Sequence, residues 1–286
     1  MNATRPAIAF EAVGKAYGDA PPVLSGVSLG VPAGQFLAIL GPSGSGKTTL
    51  LRLVNRLADP STGQVQVEGE DVRNVDPIAL RRRVGYVFQG IGLFPHMTVA
   101  ENIGITPRLI GWERARIAAR VDELLALVRL DAAVYRGRFP HELSGGERQR
   151  VGVARAIAAG PRIVLMDEPF GALDPLTRDA LGQDYRSLHR DLGLTTVMIT
   201  HDALEAVLLA DRIAVLRARR LIADGTPHAL MNEAQDAYVA DMMQTPRRQA
   251  ERLAALMRRE PWWGRSTPAS PTRSRACPTI SAATCW

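Results

Sequence analysis

Short apolar runs punctuate the chain: Ile8 to Val13, Phe36 to Leu40, Val65 to Val67, Val84 to Phe88, Ile163 to Met166, Thr195 to Ile199 and Ile213 to Leu216. Their flanks are rich in Gly, Pro and Asp, the composition of strands bounded by turns. The later runs, IVLM and TTVMI, are nearly continuous in apolar residues, which predicts strands covered on both faces in a mainly parallel sheet. The early runs alternate more, and QVQVEG reads as part of an antiparallel sheet. Between about residues 94 and 160 the period changes. There Ile117, Val121, Leu124, Leu125 and Val128 recur at the spacing of one face of an amphipathic helix. The pattern predicts an α/β fold: a mainly parallel sheet with helices on both faces, an antiparallel β subdomain, and an inserted α-helical subdomain.

Beyond about residue 257 neither period is sustained. RREPWWGRSTPASPTRSRACPTISAATCW is rich in Pro, Ser, Thr and Arg and reads as a disordered basic tail over 258–286. The expected organisation is one domain over 1–245, a helical extension over 246–257, and that tail.

Composition sharpens the picture in three places. The 286 residues suffice for one large domain or two small ones. A hydrophobic content of 46% with 22% charged residues excludes a fibrous or wholly disordered chain. The net charge of +6 lies beyond residue 245, because residues 246–286 hold eight Arg against two Glu, which leaves 1–245 neutral. A high isoelectric point is therefore no argument that the body binds nucleic acid. Both cysteines, Cys277 and Cys285, fall in the tail, so no thiol site is expected in the body. The long uncharged stretch from Ala20 to Gly46 is broken by six glycines and four prolines, so no membrane span is expected there. The N-terminus lacks a basic start followed by an apolar core, so no export signal is expected and the compartment reads as cytoplasm.

The strongest chemical signal is Gly41-Pro42-Ser43-Gly44-Ser45-Gly46-Lys47-Thr48-Thr49, a match to G-x-x-x-x-G-K-[ST]. FLAIL precedes it and TLLRLVNRL follows with helical spacing. Strand, glycine loop and helix is the order that aims backbone N–H groups and a helix N-terminus at phosphate oxygens. Lys47 would neutralise the terminal phosphates and Thr48 would bind Mg²⁺. A loop of this kind needs a carboxylate on the metal side, and RIVLMDEP ends an apolar run in Asp167 and Glu168. Asp167 fits the Mg²⁺ shell; Glu168 would serve the water that attacks the γ-phosphate. A third element, LSGGERQR, puts Ser144, Gly145 and Gly146 at a helix start, which is either an ordinary cap or a second anion site.

GPSGSGKTT, then LSGGERQR about a hundred residues later, then LMDEP, together resemble the ATP-binding-cassette (ABC) family over roughly residues 8–245. The resemblance implies a phosphate-loop nucleoside-triphosphatase core. It also implies that Gln89 touches Mg²⁺ and the attacking water and senses a transmembrane partner, that Asp174 lies at a dimer junction, that His201 contacts the γ-phosphate, and that Tyr17 stacks on adenine. Two copies would bind head to tail, so that ATP on the loop of one is covered by Ser144, Gly145 and Gly146 of the other. The implied cofactors are ATP and Mg²⁺, and the implied activity is ATP hydrolysis coupled to transport.

A finer resemblance, to the ATPase subunits of quaternary-amine osmoprotectant importers, lies in VGYVFQGIGLFPHMTVAENI, PRLIGW, LLRLVNRLADPSTGQV and TPRRQAERLAAL. It implies a homodimer on the cytoplasmic face of the cell membrane, docked to transmembrane permease subunits and served indirectly by an extracytoplasmic solute-binding protein. Gly90 stands where that group commonly has a second glutamine. The alternatives are an importer of another solute, such as amino acids, and a soluble ABC ATPase acting on nucleic acid; the neutral body speaks against the latter.

Overall fold

A computed structural model describes residues 6–90 and 92–257, with side chains described through 252. The tail assigned to 258–286 and both cysteines lie outside the described residues. The chain divides into two units, Met1–Arg247 and Arg248–Trp286. The first contains two sheets. Strands β1 (Ile8–Lys15), β2 (Leu24–Val31), β3 (Phe36–Leu40), β4 (Thr62–Val67), β5 (Glu70–Asp71), β6 (Val84–Val87), β7 (Ile163–Asp167), β8 (Thr195–Ile199), β9 (Arg212–Arg217) and β10 (Arg220–Gly225) follow in chain order. Four of them form an antiparallel sheet in the order β2-β1-β4-β5. The other six run β10-β9-β3-β8-β7-β6, parallel except for the hairpin of β9 with β10.

The central parallel strands are apolar on both faces because each face meets a separate core. Phe36, Ala38 and Leu40 of β3, Val164 and Met166 of β7, and Ile213 and Val215 of β9 enter one core. Leu37, Ile39, Ile163, Leu165, Ala214 and Leu216, the alternate positions, enter the other. Period-two alternation thus hides inside a continuous apolar run. The second core also takes β1, β2 and β4, so the antiparallel sheet packs over helix α1 (Lys47–Val54) and one face of the parallel sheet.

Helix α2 (Pro77–Arg83) leads into β6, and between β6 and β7 the described chain carries only helices: α3 (Val99–Leu109), α4 (Arg114–Leu127), the short α5 (Ala132–Tyr135), a 3₁₀ turn at Pro140–Glu142, and α6 (Gly145–Ile157). Val121, Leu124 and Leu125 of α4 are buried in the first core, the face that the sequence period marks. Helices α7 (Pro175–Asp191), α8 (Ala203–Leu209), α9 (Pro227–Asn232), α10 (Ala237–Met242) and α11 (Gln244–Met257) complete the described chain.

The strands depart from the sequence reading at the end of β6 and in β2, β5 and β10, which none of the apolar runs marks. β6 stops at Val87 rather than Phe88, so Phe88 is 47% exposed and Gln89 lies in the turn beyond the strand. β2 forms although LSGVSLGV carries two glycines; Gly26 has φ +62, and the β1–β2 register slips at two places around it.

Candidate nucleotide site

The predicted phosphate loop joins β3 to α1. Pro42, Ser43 and Gly44 form an exposed tip, while Gly41, Ser45, Gly46 and Lys47 are buried. The end glycines answer to close approach. Gly41 has φ +151, and a Cβ there would lie 2.1 Å from the Leu216 carbonyl oxygen; Gly46 has φ +99, and its Cβ would lie 2.6 Å from Leu24 Cδ2. Lys47 Nζ donates to the carbonyls of Gly41 (2.8 Å) and Pro42 (2.9 Å), so the ammonium is folded back over the loop. Burial pulls the Lys47 pKa below the ordinary lysine value, partly opposed by the negative charges of Glu168 and Asp167. Ser45 Oγ is buried without a hydrogen-bond partner. Such an atom is costly unless something polar meets it, and a phosphate oxygen is an acceptor that would.

Across from the loop, Thr48 Oγ1 donates to Asp167 Oδ1 at 3.3 Å, and Thr49 is half-buried beside it. Burial raises the Asp167 pKa, partly opposed by the bond from Thr48. Glu168 follows at φ +44, a left-handed conformation that a non-glycine residue adopts only under outside constraint. Its N–H is fixed on the Ile199 carbonyl at 3.0 Å, at the end of the neighbouring strand. The Glu168 carboxylate accepts from Gln89 Nε2 at 3.0 Å and lies 3.4 Å from His201 Nδ1. Residues from four separate segments therefore converge beyond the ends of parallel strands, where open α/β sheets place their ligands.

Among the described residues no group of three or more His, Cys, Asp or Glu side chains could hold a metal ion. A cation here would take the Thr48 hydroxyl, the Asp167 carboxylate and the amide oxygen of Gln89. That is a sparse set of hard oxygens that suits Mg²⁺, which keeps waters and substrate phosphates in its shell.

Three predicted positions are arranged differently. Tyr17, 47% exposed, carries Lys15 Nζ 4.7 Å from its ring centroid. It lies in the loop that ends at Val23, whose carbonyl faces the position of a Gly46 Cβ at 2.8 Å. Ser144 caps α6: its Oγ accepts from Glu147 N, and Glu147 Oε2 accepts from Ser144 N at 2.6 Å. Glu147 is in turn held by the Tyr135 hydroxyl at 2.6 Å. Asp174 caps α7 through Thr177 N, and this bonding lowers its pKa. Among the described residues, no hydrogen bond or ion pair ties Ser144, Gly145, Gly146 or Asp174 to Lys47, Thr48 or Asp167 of the same chain. They form a second group instead: a Cβ on Gly145 would touch Leu173 Cδ2 at 3.6 Å and one on Gly146 would meet Thr177 Cγ2 at 2.9 Å, so the starts of α6 and α7 lie together. Leu176, the second residue of α7, is 84% exposed.

Comparison with known proteins shows the family. The family model described as ABC transporter matches residues 24–171, which takes in the phosphate loop, Gln89, the Ser144 turn and the Asp167–Glu168 pair. The chain is 43% identical over 257 residues to the glycine betaine/carnitine/choline transport ATP-binding protein OpuCA of Bacillus subtilis (strain 168), covering 88% of this chain and 67% of that protein. It is 46% identical over 232 residues to the glycine betaine uptake system ATP-binding protein YehX of Escherichia coli (strain K12), covering 81% of this chain and 75% of that one. Among solved structures, the dimeric structure of MJ0796, a bacterial ABC transporter cassette, superposes with a TM-score of 0.69 at 33% identity over 77% of this chain and 98% of that one. With the glycine loop, the acidic strand end and the serine-glycine turn all inside the matched region, the chain belongs to the ABC transporter family and is one of its ATPases.

Proposed function

We propose that the chain is the ATP-hydrolysing subunit of an importer for quaternary-amine osmoprotectants such as glycine betaine, choline or carnitine. The observation that carries the catalytic part is the convergence of Gln89 and His201 on the Glu168 carboxylate, next to the Thr48–Asp167 pair. In this reading the loop from Gly41 to Thr49 holds the phosphates, and Lys47 trades its two carbonyl partners for phosphate oxygens. Mg²⁺ held by Thr48, Asp167 and Gln89 would neutralise phosphate charge. Glu168 takes a proton from the water that attacks the γ-phosphorus as the bond to the β–γ bridging oxygen breaks, leaving ADP and phosphate. His201 and Gln89 hold the carboxylate of Glu168 in place for that transfer. Tyr17 stacks on the adenine.

The second group of residues fits a partner copy. Two chains related head to tail would bring Ser144, Gly145, Gly146 and Asp174 of one over the nucleotide of the other. The N-termini of α6 and α7, of 13 and 17 residues, then point toward an anion. The exposed Leu176, the second residue of α7, would add an apolar contact.

The permease would dock elsewhere. An apolar groove of about 480 Å³ is lined in part by Leu57, Tyr86, Phe94, Leu109 and Phe88, the residue before Gln89. Leu57, Phe88, Phe94 and Leu109 are 52, 47, 40 and 60% exposed, a concentration of apolar side chains that suits a protein contact. Among the described residues no helix is long and apolar enough to cross a membrane. In this reading the subunit is held at the cytoplasmic face by the permease, and the permease and its binding protein handle the solute.

The solute class rests on the motifs shared with quaternary-amine importers and on the two osmoprotectant relatives. It is tested by ATP-dependent uptake of labelled glycine betaine into vesicles carrying this subunit with its permease and binding protein. Uptake competed by choline or carnitine is expected. No betaine uptake, transport of an unrelated solute, or ATPase activity stimulated by DNA and lost with added salt would overturn it. For the groove, Leu109→Glu is expected to abolish co-purification with the permease while ATP binding by the isolated subunit is retained. Undiminished co-purification would contradict that docking site.

A further inference from the structure

We propose that Arg178 is a positioning residue for hydrolysis, one whose guanidinium clamps the loop after Glu168 to the turn that carries His201 and so sets the spacing of those two side chains. It rests on the reading that Glu168 and His201 work on the same reaction. Arg178 lies in the first turn of α7, where its N–H donates to the Asp174 carbonyl at 2.9 Å. Its Nε donates to the Phe170 carbonyl (3.3 Å) and one terminal nitrogen to the Leu173 carbonyl (3.0 Å). The other terminal nitrogen reaches Asp202 Oδ2 at 3.5 Å. One planar fork thus touches both ends of the segment between Glu168 and Asp174, and the residue after His201.

Each anchor is itself fixed. Phe170 is fully buried. Asp202 divides its carboxylate: Oδ1 caps α8 through Leu204 N (2.8 Å) and Glu205 N (3.2 Å), while Oδ2 faces Arg178. Asp202 N also donates to Thr200 Oγ1 at 3.0 Å. A residue at φ +44, such as Glu168, keeps that conformation only when its surroundings over-determine it. Arg178 pins the carbonyls two and five residues beyond Glu168, and the Gly171 N–H on the Glu168 carbonyl (3.3 Å) supports the same turn. Lysine could not do this, because a single ammonium on a flexible stem does not reach two carbonyls and a carboxylate in fixed fork geometry. The link to Asp174 has a consequence in the dimer: a partner copy seated against Asp174 acts on the residue that spaces Glu168 from His201.

The test compares Arg178→Gln, Arg178→Lys and Asp202→Asn in the full chain; Asn preserves the helix cap while removing the charge that faces Arg178. The expected result is a fall in kcat of about tenfold or more for both Arg178 variants. A smaller fall is expected for Asp202→Asn. The KM for ATP and the number of ATP-binding sites per chain should stay within about twofold of wild type. A kcat within about twofold of wild type in Arg178→Gln, full activity in Arg178→Lys, or a loss of activity matched by loss of ATP-binding sites would each overturn the clamp. Glu168→Gln measured alongside separates the two readings. If it is inactive while Arg178→Gln is active, only the clamp fails; if it hydrolyses ATP normally, the role assigned to Glu168 fails.

Discussion

Glu168→Gln is expected to lower kcat for ATP hydrolysis by about a thousandfold while ATP still binds, the effect of removing a positioned general base. The substitution preserves shape, and a neutral amide can still accept from Gln89 Nε2, which bonds the Glu168 carboxylate at 3.0 Å. What it removes is the basic oxygen that, in the proposed reaction, receives the proton of the attacking water. The local conformation should survive, because the backbone at Glu168 is held by the Ile199 carbonyl and by Gly171 rather than by the side chain. Steady-state phosphate release together with equilibrium ATP binding measures both halves of the expectation. Hydrolysis at the wild-type rate would remove Glu168 from the reaction.

Gly41→Ala is expected to have the second-largest effect, on the loop itself. The new Cβ would sit 2.1 Å from the Leu216 carbonyl and 3.1 Å from the Leu216 carbonyl carbon, both backbone atoms that cannot swing aside. Relief requires β9 or the loop to move, and movement of the loop displaces the two carbonyls that hold Lys47. Left-handed strain and collision together should cost about 3 kcal/mol. For a chain of this size that is a drop of roughly 6–12 °C in thermal midpoint. ATP affinity should fall with it. An unchanged midpoint with unchanged ATP affinity would show that the loop has slack the packing does not suggest. Gly44→Ala is the control for backbone conformation alone, since it has φ +77 with open space around it.

How much of this could be read from the sequence varied with the physics of each element. FLAIL, IVLM and TTVMI announce central strands because both faces are buried and the residues are apolar or β-branched. The glycine loop was legible because its function constrains the residue types directly, at a spacing that occurs seldom by chance. β2 was not, because Gly26 and the register slips around it break the alternation a strand reading depends on. β10, RLIADG, is half exposed at the sheet edge and lacks an apolar face strong enough to mark it. The apolar run carries the expected strand on to Phe88, next to Gln89, whereas the backbone leaves β6 after Val87, and it is this turn that lets the Gln89 side chain reach back to Glu168. Arg178 carries no motif. Its role is visible only once the Phe170 and Leu173 carbonyls and Asp202 are seen to face it together, and no periodicity places residues 170, 173 and 202 in one spot. The pairing of the Ser144 turn with Asp174 was hidden for the same reason.

In the proposed reaction the centre is shared between two copies: Lys47, Thr48, Asp167 and Glu168 from one, Ser144, Gly145, Gly146 and Asp174 from the other. Light scattering of the Glu168→Gln chain, titrated with ATP and Mg²⁺, addresses this most directly. The predicted result is a doubling of the molecular mass with one ATP retained per chain, and its reversal when Ser144→Arg is added to the same chain without loss of nucleotide binding. A chain saturated with ATP that keeps its single-copy mass, or a dimer that forms equally well with Ser144→Arg, would contradict the account.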